Sequence, residues 1–284
     1  MEEDAETPAG EGGAGERFGV FVKRNIVLAA VFFLSNLITA VSTLVTAVAV
    51  LRETQTDWRA VEYRKLRELR AGYTLEKFQK ELGPPAFRTP LATGGPFVRN
   101  VYRPREEYWV EVISNKSNAA VTYAVTSCDP AFRPEFRFGG EPGLKVVLNR
   151  NVLSDVLSAE VQRDEALKIF LGSTASAPSL VFQVYGGAAP SGYRQAAWGL
   201  NDVCPEWRST SPGHDPLKSW QNWFWGAREA EDPPAHTYIA ERLDTKARAI
   251  AAESIVNTYA ETAFGEDMLT YYPRQIGVDR LVVR

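Results

Sequence analysis

Apolar and polar positions along the chain break most sharply between Asn25 and Leu51, where NIVLAAVFFLSNLITAVSTLVTAVAVL runs for 27 residues without a charge. As a helix this stretch would reach about 40 Å, enough to cross a hydrocarbon core about 30 Å thick. It predicts a transmembrane helix. Ala47-Val48-Ala49 also satisfies a small-x-small cleavage site. A cleavable signal, however, has an apolar core of only about 7 to 15 residues, so an uncleaved signal anchor is the favoured reading. Before it, Met1 to Glu16 carries six acidic residues and no large aliphatic side chain. Such a segment cannot offset its own ordering entropy, and residues 1–24 are expected to be a disordered cytoplasmic tail. Arg17, Lys23 and Arg24 precede the span while Arg52, Arg59, Arg64 and Lys65 follow it, so basic residues alone do not orient it. A short polar tail suits a cytoplasmic N-terminus, with the remainder of the chain outside the cytoplasm.

Beyond the span the periodicity shifts. Trp58, Val61, Leu66 and Leu69 fall near helical spacing within Thr56 to Arg70, and Gly72 ends that helix. Thr74 then caps a second helix holding Leu75, Phe78 and Leu82, which Gly83-Pro84-Pro85 stops. Three strands follow, at Phe97 to Arg103, Glu107 to Ile113 and Ala119 to Thr126. Further strands are expected at Leu144 to Leu148 and Leu180 to Tyr185, and a helix within Val152 to Gly172. From Asp244 to Phe264, the row Leu243, Ala247, Ala251, Ile255 and Tyr259 predicts a long C-terminal helix closed by Gly265, and Ile276 to Val283 a last strand. The expected fold class is α+β: an N-terminal single transmembrane helix, then a mixed domain with a helix pair, an antiparallel meander sheet and a long C-terminal helix. Residues 52–128 would form the helix-pair and meander module, and 129–284 an α+β extension packed on it.

Charge narrows the partners. With 32 basic and 35 acidic residues the net charge is -3, so no bulk basic field favours nucleic acid. Arg59, Arg64, Lys65, Arg67 and Arg70 alternate with Glu62 and Glu68, the usual pattern of a solvated helix face. Cys128 and Cys204 read as one disulfide if the domain is exported and as two buried thiols if it is not; the export expectation favours the bond.

No Walker loop, GxSxG, HExxH or SxxK is present, and no cofactor or metal is implied. His214 and His236 sit in proline-rich loops, and Asp202 is the least arbitrary acid. Five of the seven tryptophans, Trp198, Trp207, Trp220, Trp223 and Trp225, crowd one stretch. They could stack on sugar rings or dip into a bilayer surface, or they could wedge irregular loops against the core, and exposure separates these readings. Inside the apolar span, Ser35, Thr39, Ser42, Thr46 and Ala49 repeat at 4-3-4-3 spacing with Asn36 alongside. Such a seam permits close helix pairing and a homodimer, unless the hydroxyls bond their own helix.

Leu69, Gly72, Thr74, Phe78, Leu82, Gly83 and Pro84, with Tyr102, Tyr108 and Trp109 after them, form a pattern that resembles the small outer-membrane assembly lipoproteins of the BamE-like (SmpA/OmlA-like) family. The likeness covers residues 57–126 at most. It implies a helix pair before a meander sheet, and no catalytic residues. Here no lipidated cysteine follows the apolar run, and a long extension is added. The remainder resembles membrane-anchored bacterial proteins that have no assigned role. The expected function is a membrane-anchored extracytoplasmic domain binding a protein or envelope component; the alternative is a cell-envelope hydrolase or transferase using acids near the tryptophan cluster.

Overall fold

The computed structural model describes residues 37, 41–43, 58–91, 95–139, 144–155, 168–172, 180–186, 194–204, 215–230, 237–240, 244–273, 275–280 and 283. The chain divides into two units, Met1–Trp58 and Arg59–Arg284. In the first, Leu37, Val41, Ser42 and Thr43 are helical and exposed. Among the described residues no helix is long and apolar enough to cross a membrane, which corrects the expected transmembrane helix. Ser42 of the expected seam is therefore an exposed helical residue, while Ser35, Asn36, Thr39, Thr46, Ala49 and the tail 1–24 lie outside the described residues.

The second unit holds α1 (Trp58–Glu68) from Arg59 onward and then α2 (Leu75–Leu82). Leu75, Phe78 and Leu82 of α2 lie on one buried stripe. Extended Thr74 starts this helix, and Gly83, at φ 84°, ends it by donating its N–H to the Gln79 carbonyl. The strands are β1 (Phe87–Pro90), β2 (Val98–Arg105), β3 (Tyr108–Ser114), β4 (Ala120–Ser127), β5 (Glu135–Phe138), β6 (Leu144–Val147), β7 (Lys168–Gly172), β8 (Leu180–Gly186), β9 (Gln195–Gly199), β10 (Thr237–Ala240) and β11 (Thr258–Thr262). Three more helices are α3 (Asp215–Ala230), α4 (Thr245–Glu253) and α5 (Met268–Tyr271). The described strands form an antiparallel sheet in the order β1-β2-β3-β4-β11-β9-β8-β7-β10, plus the hairpin β5-β6. The class is α+β, as the helix pair and meander suggest.

The long C-terminal helix is corrected. α4 stops at Glu253, where Ser254 caps it, and the chain then extends into β11 between β4 and β9. Ile255, Val256 and Thr258 are β-branched and resist helix, while Tyr259, which continues the helical row, pairs across with Val125 and Trp198. Of the stretch 152–172, in which a helix is expected, the described residues hold a 3-10 turn, Leu153–Asp155, and strand β7, and 156–167 lie outside the described residues. Residues 276, 278 and 279 are in no strand.

Alternation along the strands gives the sheet two apolar faces. One carries Val110, Tyr123, Val125 and Tyr259 and is covered by Leu66, Leu69 and Phe78 of the helix-pair region and by Phe136 of β5. Phe136 stacks on Tyr259 at 4.4 Å, and Phe78 meets Tyr123 at 5.6 Å. The other carries Ile113, Ala124, Ala260, Ala197, Val184 and Phe182, and packs with Met268, Tyr271, Tyr272 and Ile276 from the C-terminal segment. Cys128 and Cys204 are bonded, joining the chain just after β4 to the chain just after β9.

Candidate functional site

The link between α1 and α2 is fixed by backbone bonds to the β3-β4 hairpin. Gly72, at φ 95°, donates to the Ala120 carbonyl at 2.7 Å; Ala120 donates to Tyr73 at 2.8 Å, and Leu75 to Asn118 at 2.8 Å. A Cβ on Gly72 would lie 3.9 Å from that of Ala263, so this link abuts the end of β11. Glycine is needed here for its left-handed backbone rather than for space.

Under the link lies Glu261 of β11, 1% exposed. Its Oε1 accepts from the Ala71 N–H and from Arg194 Nη2, both at 2.9 Å, and its Oε2 accepts from the Tyr259 hydroxyl at 2.9 Å. Burial raises the Glu261 pKa; the Ala71 N–H, Arg194 and Arg70 act against that rise. Burial and then the Glu261 charge push the Tyr259 and Tyr123 phenols up. Half-buried Arg70 faces Tyr123 and Glu261 and donates from Nη1 to the Leu69 carbonyl at 2.6 Å. A carboxylate so enclosed holds the helix pair to the central strand and is out of reach of a substrate.

Above this network the surface opens. A shallow depression of about 660 Å³ is lined by Arg67, Glu68, Arg70, Gly72, Tyr73, Thr74 and Lys77. Lys77 is already paired with Glu81 at 2.8 Å and with Glu68 at 3.4 Å, contacts that raise its pKa through the Glu81 bond first. Thr74 makes no side-chain cap to α2. Tyr73 is 44% exposed, and Phe264, next to Ala263, is 69% exposed. Cations and the exposed Tyr73 ring therefore share this depression, and Phe264 follows the end of β11 that the link abuts.

Three further carboxylates are buried elsewhere. Glu62 accepts from the Tyr108 hydroxyl at 2.5 Å and from Lys65 at 2.8 Å, so α1 does not present the fully solvated charged face that its sequence suggests. Glu111, on the β3 face opposite Val110, is paired with Arg99 at 3.1 Å and faces Tyr272 and Asp279; burial pushes its pKa up to about 7. Asp202 is buried against Arg280 at 3.4 Å.

The tryptophans divide unevenly. Trp198 and Trp220 are fully buried and Trp223 nearly so. Trp220 donates to Ser254 at 2.8 Å, Trp223 donates to Asp244 at 3.0 Å, and the two rings meet edge to face at 5.7 Å. As core side chains these three present no face to an incoming sugar. Trp225 lies in α3 with its side chain outside the description, and Trp207, His214 and His236 lie outside the described residues.

No family model, curated protein or solved structure matches this chain. Its chemistry must be read from its own residues. Among the described residues no cluster of three or more His, Cys, Asp or Glu could hold a metal. The depression contains one carboxylate, Glu68, where a glycosidase-type centre needs two flanking the bond. Strand addition at β1 is disfavoured, because this edge has only four residues and exposes Arg88 and Pro90.

Proposed function

We propose that the chain is a non-enzymatic binding domain that works outside the cytoplasm and takes a protein or envelope component at the link between α1 and α2. The observation that carries this reading is the open depression beside exposed Tyr73, which contrasts with buried carboxylates enclosed in the core. The Cys128–Cys204 bond supports an oxidising compartment. The order α1, α2, β1, β2, β3, β4, a helix pair before a meander, supports the likeness to the BamE-like family in residues 57–126.

A photo-crosslinking amino acid placed at Tyr73 in the full-length chain in cells tests this. The expected result is a discrete adduct from position 73 and none from Glu106, an exposed residue in the β2-β3 turn at the other end of β3. Equal labelling from both positions, or none from position 73, removes the reading.

A further inference from the structure

We infer that the C-terminal segment, residues 267–273 and 275–280, is an acid-latched strap: it lies on the sheet while the buried Glu111 carboxyl beneath it is neutral, and it lifts when that carboxyl ionises. The strap covers the sheet face opposite the helix pair, so it is independent of the binding role proposed above. The first ground is how the segment is held. It carries one turn of helix, α5, and its described residues join no strand. Side chains in and after β9 hold it down. Gln195 Oε1 accepts from the Met268 N–H at 2.7 Å, and Asn201 Nδ2 donates to the carbonyls of Ile276 at 2.7 Å and Val278 at 3.1 Å. Asp202 pairs with Arg280 at 3.4 Å. A segment tied by side chains rather than by a strand ladder opens at lower cost than the sheet below it.

The second ground is what the segment covers. Ile113, Ala124 and Ala260 give it an apolar seat, but the seat turns polar alongside them. Thr126 and Thr258, hydrogen-bonded to each other at 3.0 Å, lie against Gly277, and Glu111 and Arg99 share the face of Ile113. Neither Glu111 oxygen, nor the buried Tyr272 hydroxyl that faces it, meets a well-aligned hydrogen-bond partner. Three groups face this carboxyl: Arg99 of β2, with its Nε 3.1 Å away, and Tyr272 and Asp279 of the segment itself; β4 sets the uncharged Ala124 opposite Glu111. While Glu111 is neutral, the segment can stay down. Once it ionises, Arg99 offsets the charge from one side, Asp279 opposes it, and the carboxylate lacks the donors that water would supply. Lifting the segment admits that water and takes Asp279 away. Burial, the leading cause, raises the carboxyl from 4.5 to about 7 in the covered state, so the covered state holds the proton more tightly than the open one. Opening is therefore hardest below 4.5, becomes easier as pH rises, and levels off above about 7.

Amide hydrogen exchange of the full-length oxidised chain, read by mass spectrometry on peptic peptides and corrected for the intrinsic effect of pH, tests the strap. Peptides from residues 267–280 should exchange faster than those of β4 and be less accelerated by urea. Their corrected rate should rise about tenfold from pH 6 to pH 8, the factor set by a carboxyl that titrates near 7 when covered and near 4.5 when open. Glu111→Gln should remove that rise and hold the segment down at pH 8. Arg280→Gln, which cuts the tie to Asp202, should speed exchange of the segment at both pH values and keep the rise. Exchange of the segment at the rate of β4 would show that it leaves only when the whole domain unfolds, and an equal rise in Glu111→Gln would place the titration elsewhere; either result overturns the inference. If Glu111→Gln does not fold, the natural protein and Arg280→Gln still decide: a corrected segment rate that is flat from pH 6 to pH 8, or that Arg280→Gln leaves unchanged, overturns it as well.

Discussion

Glu111→Gln should make the protein's stability less dependent on pH, and the structure sets both the direction and the size. Glu111 is fully buried on a sheet face, and burial is the largest influence on its carboxyl, lifting its pKa from 4.5 to about 7 against the opposing pull of Arg99 and Tyr272. In the unfolded chain the same group loses its proton near 4.5. Between these values the folded state holds more protons than the unfolded state, so stability falls as pH rises and levels off above about 7. At about 1.4 kcal/mol per pH unit, this single group removes about 3 kcal/mol across the window. Glutamine keeps the shape and the neutral state but cannot ionise. Urea unfolding followed by tryptophan fluorescence at pH 4.5 and pH 8 should therefore show the natural protein losing about 3 kcal/mol more than the variant. Glu261, raised in the same direction, is present in both proteins and drops out of the comparison. Equal losses in the two proteins would refute the burial argument. A variant that loses more would refute it as well, since Arg99 would then depend on an ionised partner.

Replacing Cys128 and Cys204 together by alanine should cost about 4 kcal/mol on the chain-entropy account of a bridge 76 residues apart, read as a lower urea midpoint; an unchanged midpoint would show that the bridge constrains little. Gly277→Ala should destabilise by more than about 2 kcal/mol, because the backbone is at φ +79° and a Cβ would lie 2.7 Å from Thr126 Oγ1 and 3.0 Å from Thr258 Cγ2. Thermal unfolding within a degree of the natural protein would contradict that packing. Asp244→Ala removes the cap that accepts from Ala247 at 2.7 Å and the partner of Trp223 at 3.0 Å, so about 1 to 2 kcal/mol should be lost together with a shift in tryptophan emission. Loss of stability with unchanged emission would separate the cap from the indole bond.

What can be read from the chain without coordinates depends on whether local and distant forces agree. Helix α2 is legible because Thr74, the stripe Leu75, Phe78 and Leu82, and the stop Gly83-Pro84 all point the same way. Strands β2 to β4 are legible for the same reason. The stretch from Ser254 to Thr262 is not, because its spacing continues the helical row of Ala247 and Ala251 while its β-branched residues favour a strand. The gap between β4 and β9 settles the matter, and no local pattern records that gap. Ile255 marks the conflict: as a member of the helical row it ought to be buried, yet it is 41% exposed. The site was hidden differently. Arg67 and Arg70 look like any solvated charges, and only the fold sets them with Tyr73 around one depression. A usable signal did exist for the buried acids, since Glu111 and Glu261 each stand as a single acid in a strand without a basic residue, YWVEVIS and TYAET, where a charge demands a partner.

Strand β11 lies mid-sheet although it is synthesised after every other described strand. A growing chain must therefore hold two half-sheets, β1 to β4 on one side and β7 to β10 on the other, with β4 and β9 presenting open edges until the last segment emerges. The Cys128–Cys204 bridge sits at the ends of those two edges, so oxidation before completion would tether the halves at the vacancy that β11 fills. A product cut short before Thr258 would retain the tether and the vacancy without the strand to close it. Such an intermediate is open to the β11 of a neighbouring copy, and strand exchange between molecules becomes the characteristic failure of this architecture when synthesis is interrupted.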